Sequence, residues 1–409
     1  MPKNLLFSLS DQIFVSGGNF LTLVICANGL TVSGQGKLSY VIICYMALAL
    51  FNIASIFNGA SVLINEQSNK EKYRKILFVY QVFAALFTSA LLTSALFFAG
   101  NYIGWKIESV ELILVALFLF TQQIVDFDRR IKYICENEKS ALLSSVRVYP
   151  VRIILLMIFL PSSIKEALEL LVLANLFASI LVIIKQSSHV TKYVSRESVT
   201  VILAHLKFSK LIILSALMGW LWSYLPTIFL GYFYGKGLVG ILVTLRSITN
   251  VANVLMEQVE TVSSVVFARK AYKHGEEELG SAVTNILISG TGIWVCGVIV
   301  LYFFGHGIVL NMLGQEYANY SGLLVIMWLG FGIYFIARVF AIKYRSLKNL
   351  KIEFLSGLSS LLMALVCIPL ISQYSIVGTA WAYVFISLSA VLVQWILIKY
   401  LKLKKLSVY

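Results

Sequence analysis

Arg246, Asn250, Asn253, Glu257, Glu260 and Ser264 recur at steps of three and four through the otherwise apolar stretch GLVGILVTLRSITNVANVLMEQVETVSSVVFA (237–268). On one helix such steps place all six on a single face. Leu242, Ile248, Val251, Val254, Leu255 and Val262 fall on the other sides. Charged groups in hydrocarbon cost several kcal/mol or more, so this face must meet protein or a water-filled cavity. Two readings fit. The stripe is a structural seam whose arginine pairs with a carboxylate on a neighbouring helix, or it lines a transport pathway.

The elements that must position these residues follow from composition. Of 409 residues, 59% are hydrophobic and 13% charged, and the mean hydropathy is +0.87. These values exclude an ordinary soluble domain and fit an all-α polytopic membrane protein. Apolar segments fall near 5–30, 38–63, 76–99, 110–128, 142–161, 167–186, 209–231, 237–268, 282–304, 322–342, 353–371 and 377–399. At ~20 residues per span they predict twelve transmembrane helices with no sizeable soluble domain. The first segment, MPKNLLFSLSDQIF onward, lacks a cleavage pattern and reads as a retained span.

Orientation follows from lysine and arginine in the loops. One side carries 26 of them and the other only Lys37, Lys106, Lys165 and Lys236, with Arg152, Arg246 and Arg338 left inside spans. The bias holds loop by loop and puts both termini in the cytoplasm. It also explains the net charge of +14 without nucleic acid. The longest inward segments are 129–141 and 187–208; the second divides the chain. The expected organisation is therefore a six-helix lobe over 1–186, a cytoplasmic linker over 187–208, and a six-helix lobe over 209–409. Val199, Ile202, Leu203 and Leu206 give the linker one apolar side, as in a helix lying on the membrane surface.

The halves echo each other. Gly34 and Gly36 after the first span, and Gly235 and Gly237 after the seventh, read as tight turns that lead into long apolar helices. Asn52, Ser55 and Asn58 repeat the polar stripe faintly. Even span numbers give both halves the same orientation, with a pseudo-twofold along the membrane normal.

Several chemistries find no motif. No phosphate loop of the G-x-x-x-x-G-K-[ST] kind, H-E-x-x-H helix or G-x-S-x-G elbow occurs. Cys26, Cys44, Cys135, Cys296 and Cys367 are scattered without a C-x-x-C pair. His189, His205, His274 and His306 fall in loops or span ends without metal-ligand spacing and read as solvated or interfacial. The outward loops lack an acidic pair of the sort a lipid-dependent glycosyltransferase needs. The sequence points away from an enzyme, a metal site and a resident cofactor.

In the first span Asp11, Gly18, Asn19 and Thr22 lie close to one face, and Gly17 and Gly18 mark a point of close packing or bending. The opening D-x-x-x-x-S-G-G-N-F (Asp11, Ser16, Gly17, Gly18, Asn19, Phe20) resembles the polysaccharide flippases of the MOP exporter superfamily, especially the O-antigen (Wzx) type. So do Gly34-Gln35-Gly36, the R-S-I-x-N-V-x-N-V run from Arg246, QQIVDFDRR at the fourth-span exit and LGQEYANYSG late in the chain. The resemblance covers essentially the whole chain. It implies two six-helix bundles facing each other in a V, with a cationic central cavity. The substrate would be a polyprenyl-pyrophosphate-linked oligosaccharide, moved between the leaflets of a bacterial inner membrane by alternating access coupled to H+ or Na+. It also implies membrane lipid, and the polysaccharide polymerase and chain-length machinery, as partners.

The residues can be assigned on that basis. Arg246 suits a phosphate deep in the cavity, because its planar fork binds phosphate bidentately and stays charged. Asn250, Asn253 and Asn19 would line the same path. Arg152 and Arg338 would receive the pyrophosphate on arrival, or simply snorkel. Asp11, Asp126, Glu257 and Glu260 are coupling carboxylates or partners for the arginines. Asp126 and Asp128 beside Arg129 and Arg130 read as gate salt bridges. Trp220, Trp222 and Tyr224 near Pro226 could stack on sugar or anchor the helix, and Pro226 could kink it. A small-molecule antiporter of the MATE kind is the alternative, argued against by the three arginines. A glycan polymerase or a scaffold fits less.

Overall fold

The computed structural model of the chain describes residues 3–64, 69–100, 102, 105–135, 137–187, 196–347, 349 and 351–406; between 251 and 278 it describes side chains at Met256 and Phe267 alone. In order the helices are α1 (Lys3–Gly29), α2 (Val32–Asn52), a π-helical turn (Ile53–Phe57), α3 (Asn58–Leu63), α4 (Lys70–Gly100), α5 (Ser109–Ile134), α6 (Glu138–Phe159) and α7 (Ile164–Ser187). They continue as α8 (Arg196–Tyr234), α9 (Lys236–Thr249), α10 (Val251–Leu313), α11 (Gln315–Ala318), α12 (Leu323–Ser346), α13 (Lys351–Val366) and α14 (Ile368–Leu406). The chain divides into two compact units, Met1–Trp220 and Leu221–Tyr409, with the boundary inside α8.

Ten helices among the described residues are long and apolar enough to cross a membrane. Two expected spans differ. The segment 353–371 contains α13, which has only 16 residues. The segment 237–268 is cut at Asn250, where ψ of −14° interrupts the helical run between α9 and α10. The polar stripe therefore does not lie along one straight helix. The loop expected at 269–281 is also helical, because α10 runs for 63 residues. Its sequence here, ARKAYKHGEEELGSA, is rich in strong helix formers. At 1.5 Å per residue 63 residues measure ~95 Å, three times a ~30 Å hydrocarbon core. Among the described residues of this run, Leu279–Leu313 has the composition of a span.

Lipid-facing and core-facing sides separate cleanly on α4. Gln81, Ala85, Ser89, Thr93 and Leu96 are buried at helical spacing, whereas Phe83, Leu86, Phe87, Leu91, Phe97 and Phe98 are exposed. In a bilayer this inversion is stable, since apolar groups lose nothing against lipid and polar ones need protein partners. Close approach between helices is fixed by glycine. A Cβ at Gly18 of α1 would lie 2.5 Å from the Tyr149 ring of α6, and one at Gly297 of α10 would lie 2.3 Å from Trp328 of α12. Gly18 is thus the packing point of the first span.

The first of the two Gly-x-Gly motifs is not a turn. Thr31 caps α2 by accepting the Gly34 N–H at 3.1 Å, so Gly34 and Gly36 sit in its first turns. Gly235 does form a turn, with φ of +81° between α8 and α9. Pro226 lies inside α8 and Pro150 inside α6.

The linker is helical from Arg196 and merges into the seventh span as one 39-residue helix. Val199 and Leu203 are outward, while Ser198, His205 and Ser209 are buried. His205 is therefore not solvated. It is 1% exposed, with Nδ1 2.9 Å from the Tyr73 hydroxyl. Burial pushes its pKa below the ordinary value, against the opposing pull of the Ser55 and Ile56 carbonyls. Those carbonyls belong to the π-helical turn, whose wider winding rearranges the hydrogen-bond ladder of α2.

Candidate functional site

Asp11 is completely buried on α1. Arg129 Nη1 donates to it at 2.9 Å, Tyr133 at 2.7 Å, and Ser145 donates to its other oxygen. These donors come from α5 and α6, so one carboxylate joins three helices. Asp126 accepts from the Tyr45 hydroxyl at 2.7 Å and from the Gln122 amide at 3.5 Å; among the described residues no cation lies within 4 Å of it, and the Arg129 charge acts on it from further away. Asp128 pairs instead with Lys132, and Ser144 donates to it at 2.7 Å. Arg130 lies 5.8 Å from the centre of the Phe57 ring. Of the residues expected to form gate salt bridges, Asp128 pairs with Lys132, and Arg129 donates to Asp11.

Arg152 is 2% exposed on α6. It neither snorkels nor projects. Its Nη1 donates to Asn19 Oδ1 at 3.3 Å, and its Nη2 donates to Asn175 Oδ1 at 2.8 Å and to Gln122 Oε1. The Tyr149 ring lies 5.0 Å away. Neutral amides on three helices close this guanidinium off, and Gln122 links it to Asp126. Asn19 serves as a ligand of the arginine. Gln122, Asn175 and Tyr45 complete a network that sequence reasoning missed. Their only signal was a polar side chain inside an apolar helix.

Arg246 is held differently. On α9, its Nη1 donates to the Ser223 carbonyl at 2.9 Å and to the Tyr383 hydroxyl at 3.0 Å. Its guanidinium lies 4.6 Å from the Tyr383 ring centre and 5.3 Å from that of Tyr224. Thr227 Oγ1 is 2.6 Å from the same Tyr383 hydroxyl. Cation–π contact of this kind fixes the charge without neutralising it. Among the described residues no carboxylate pairs with Arg246, and its Nε and Nη2 make no hydrogen bond. These two N–H groups form the edge that binds carboxylate or phosphate bidentately. Tyr383 was not foreseen, because it comes from α14, far away in sequence.

Arg338 donates to the Tyr334 hydroxyl at 3.3 Å, and Tyr334 packs on Trp222 with ring centres 5.2 Å apart. Trp220 donates to the Ile43 carbonyl at 3.2 Å, as a structural anchor would. Asn250 is exposed at the joint between α9 and α10. The side chains of Asn253, Glu257 and Glu260 lie outside the described residues. Among the described residues no group of histidine, cysteine and carboxylate side chains could hold a metal ion.

The chain has the all-α, multi-span fold of the MOP superfamily of transporters, to which the MATE proteins belong. Against solved structures it matches the lipid II flippase MurJ in an inward closed conformation, at a TM-score of 0.72 and 16% identity, over 97% of this chain and 87% of that one. It matches an inward-facing multidrug resistance MATE transporter at a TM-score of 0.71 and 14% identity, over 97% and 96%. A MOP-superfamily transporter from Pyrococcus furiosus, described for the reverse polarity of its binding pocket, matches at 0.59 and 14% identity, over 98% and 91%. No family model and no curated protein matches the sequence.

Proposed function

We propose that this chain is an alternating-access transporter whose substrate carries phosphate, in the first instance a polyprenyl-pyrophosphate-linked oligosaccharide of a bacterial inner membrane. The observation that carries this reading is the open Nε and Nη2 edge of Arg246, held between Tyr224 and Tyr383 with no carboxylate beside it. A half-buried cation of this kind attracts an anion and repels the cationic drugs typical of a multidrug exporter. The likeness to a lipid II flippase supports a lipid-linked substrate. Asn250, Asn253 and Arg338 would contribute to the same path. Asp126, which Tyr45 and Gln122 hold without an ion pair, is the described carboxylate best suited to exchange a proton or sodium ion. Asp11, Glu257 and Glu260 are the other coupling candidates.

Likeness to multidrug MATE transporters supports a second reading, a small-molecule antiporter. One experiment separates the two. Proteoliposomes containing the protein and a polyprenyl-pyrophosphate oligosaccharide are tested for exposure of the glycan to an impermeant reagent, and in parallel for efflux of a fluorescent organic cation. Glycan exposure that depends on the protein and an ion gradient is the expected outcome. Cation efflux with the glycan still enclosed would replace the flippase by the antiporter.

A further inference from the structure

Among the described residues, seven buried side chains carry a formal charge. Five of them have an opposite charge within 4 Å: Asp11 and Arg129 at 2.9 Å, Lys75 with Glu71 at 3.6 Å, Glu111 with Lys37 at 3.7 Å, and Asp128 with Lys132. The other two are Asp126 and Arg152. One carboxamide stands between them. Gln122 Nε2 donates to Asp126 Oδ1 at 3.5 Å, and Gln122 Oε1 accepts from Arg152 Nη2. A buried charge without compensation is strongly disfavoured, so each of the two serves as the balance of the other.

The orientation of that carboxamide is fixed. A guanidinium only donates, so Gln122 must turn its oxygen to Arg152. The Asn175 amide donates to the same oxygen at 3.0 Å. Asn175 Oδ1 and Asn19 Oδ1 in turn accept from Arg152 at 2.8 and 3.3 Å. Gln122 therefore presents N–H to Asp126, and Arg152 ties α1, α5 and α7 to α6. At the second Asp126 oxygen, the Tyr45 hydroxyl at 2.7 Å can turn from donor to acceptor. The other charged or titratable groups about Asp126 and Tyr45 are Arg129 and Arg130 of α5, Tyr149 of α6 and Asp11 of α1. From α7 and α4 come uncharged side chains, Asn175 on Gln122 and Ser89 on Gln123.

We propose that a proton taken up from water at Asp126 is read out by Arg152 through Gln122, and that this loosens the hold of Arg152 on α1 and α7. The proton binds Oδ2, Tyr45 accepts its hydrogen bond, and the negative charge that balanced Arg152 is gone. Arg129 stays with Asp11, so Arg152 is left as an uncompensated buried cation and moves towards water. Arg152 and Gln122 act here as positioning residues. The inference rests on the reading of Asp126 as the coupling carboxylate.

Hydrogen–deuterium exchange of the full-length protein in lipid nanodiscs tests it, from about pH 8 to about pH 4 and corrected for the intrinsic pH dependence of exchange. In the wild type, the segments around Asn19 and Asn175 should exchange about tenfold faster at the acid end, the change expected when one hydrogen bond to a charged group is lost. Asp126→Asn should exchange fast at both ends, since an amide does not titrate. Gln122→Met should also abolish the pH response, because it lacks both bonds of the relay. Wild-type exchange that ignores pH in these segments, or a pH response kept by either variant, would overturn the relay. Gradient-driven transport separates this from the coupling reading. If Asp126→Asn loses gradient dependence while wild-type exchange ignores pH, the coupling carboxylate stands and the relay falls. If Asp126→Asn still follows the gradient while wild-type exchange responds as expected, the coupling role falls and the relay stands.

Discussion

Three arginines inside apolar helices looked alike in the sequence, and their hydrogen bonds separate them. Arg152 spends its Nη groups on Asn19, Gln122 and Asn175, whereas Arg246 spends only Nη1. Removing Arg246 should therefore cost substrate recognition and little stability. Arg246→Ala is expected to lower glycolipid transport at least about tenfold, since hydrogen bonds to charged groups are worth ~1.5–3 kcal/mol each. Arg246→Lys should recover part of it, because charge remains but the planar fork is lost. Tyr383→Phe should fall between wild type and Arg246→Ala. Transport assays at matched membrane abundance check this series. Asp11 belongs to the opposite class. Asp11→Asn leaves buried Arg129 without its hydrogen-bonded counter-charge, a loss on the order of 3–5 kcal/mol. A large drop in melting temperature is expected, and a variant as stable as wild type would show the pair to be dispensable.

At the scale of elements, the helix from Arg196 is tied to the first unit through His205, Tyr73 and the π-helical turn. Burial keeps the His205 pKa below its ordinary value near 6.5. A base whose folded pKa is depressed is neutral in both states above about pH 6.5, and the contact is then fully stable. As pH falls below that value the unfolded imidazole takes a proton first, so stability is lost until the folded pKa is also passed. Melting followed from about pH 8 to pH 5 should show this descending limb, and His205→Asn should flatten it. Elements also account for the Asn250 joint. Sequence periodicity ran straight through it, because Asn is tolerated in a helix as well as at its end.

For the whole molecule, the lysine and arginine bias remains the argument for orientation, and labelling tests it. Single cysteines at Lys37 and at Lys139, in a background without native cysteines, should react with an impermeant maleimide from opposite sides. Lys37 should react from outside intact cells, and Lys139 only after permeabilisation. The reverse pattern would invert the topology and turn the proposed direction of transport around. The fold common to MATE and flippase structures at 13–16% identity is consistent with helix packing governed by residue size and polarity more than by identity.

The sequence by itself determined that this is a helical membrane protein, where most of its spans lie, and which polar residues must turn inward. Those conclusions need only hydrophobic run length and helical period, both local quantities. It could not decide that α13 has just 16 residues or that α10 runs on through the expected loop. Nor could it choose partners. Spacing fixes which face of a helix Arg129, Asp126 or Arg246 occupies, but a face meets several neighbours. Only the packing of α1 against α6, set by Gly18 under Tyr149, brings Asp11 to Arg129. Only the placement of α14 beside α9 brings Tyr383 to Arg246 and leaves one edge of its guanidinium open. Partner choice depends on distances across the fold, and a linear pattern does not contain them.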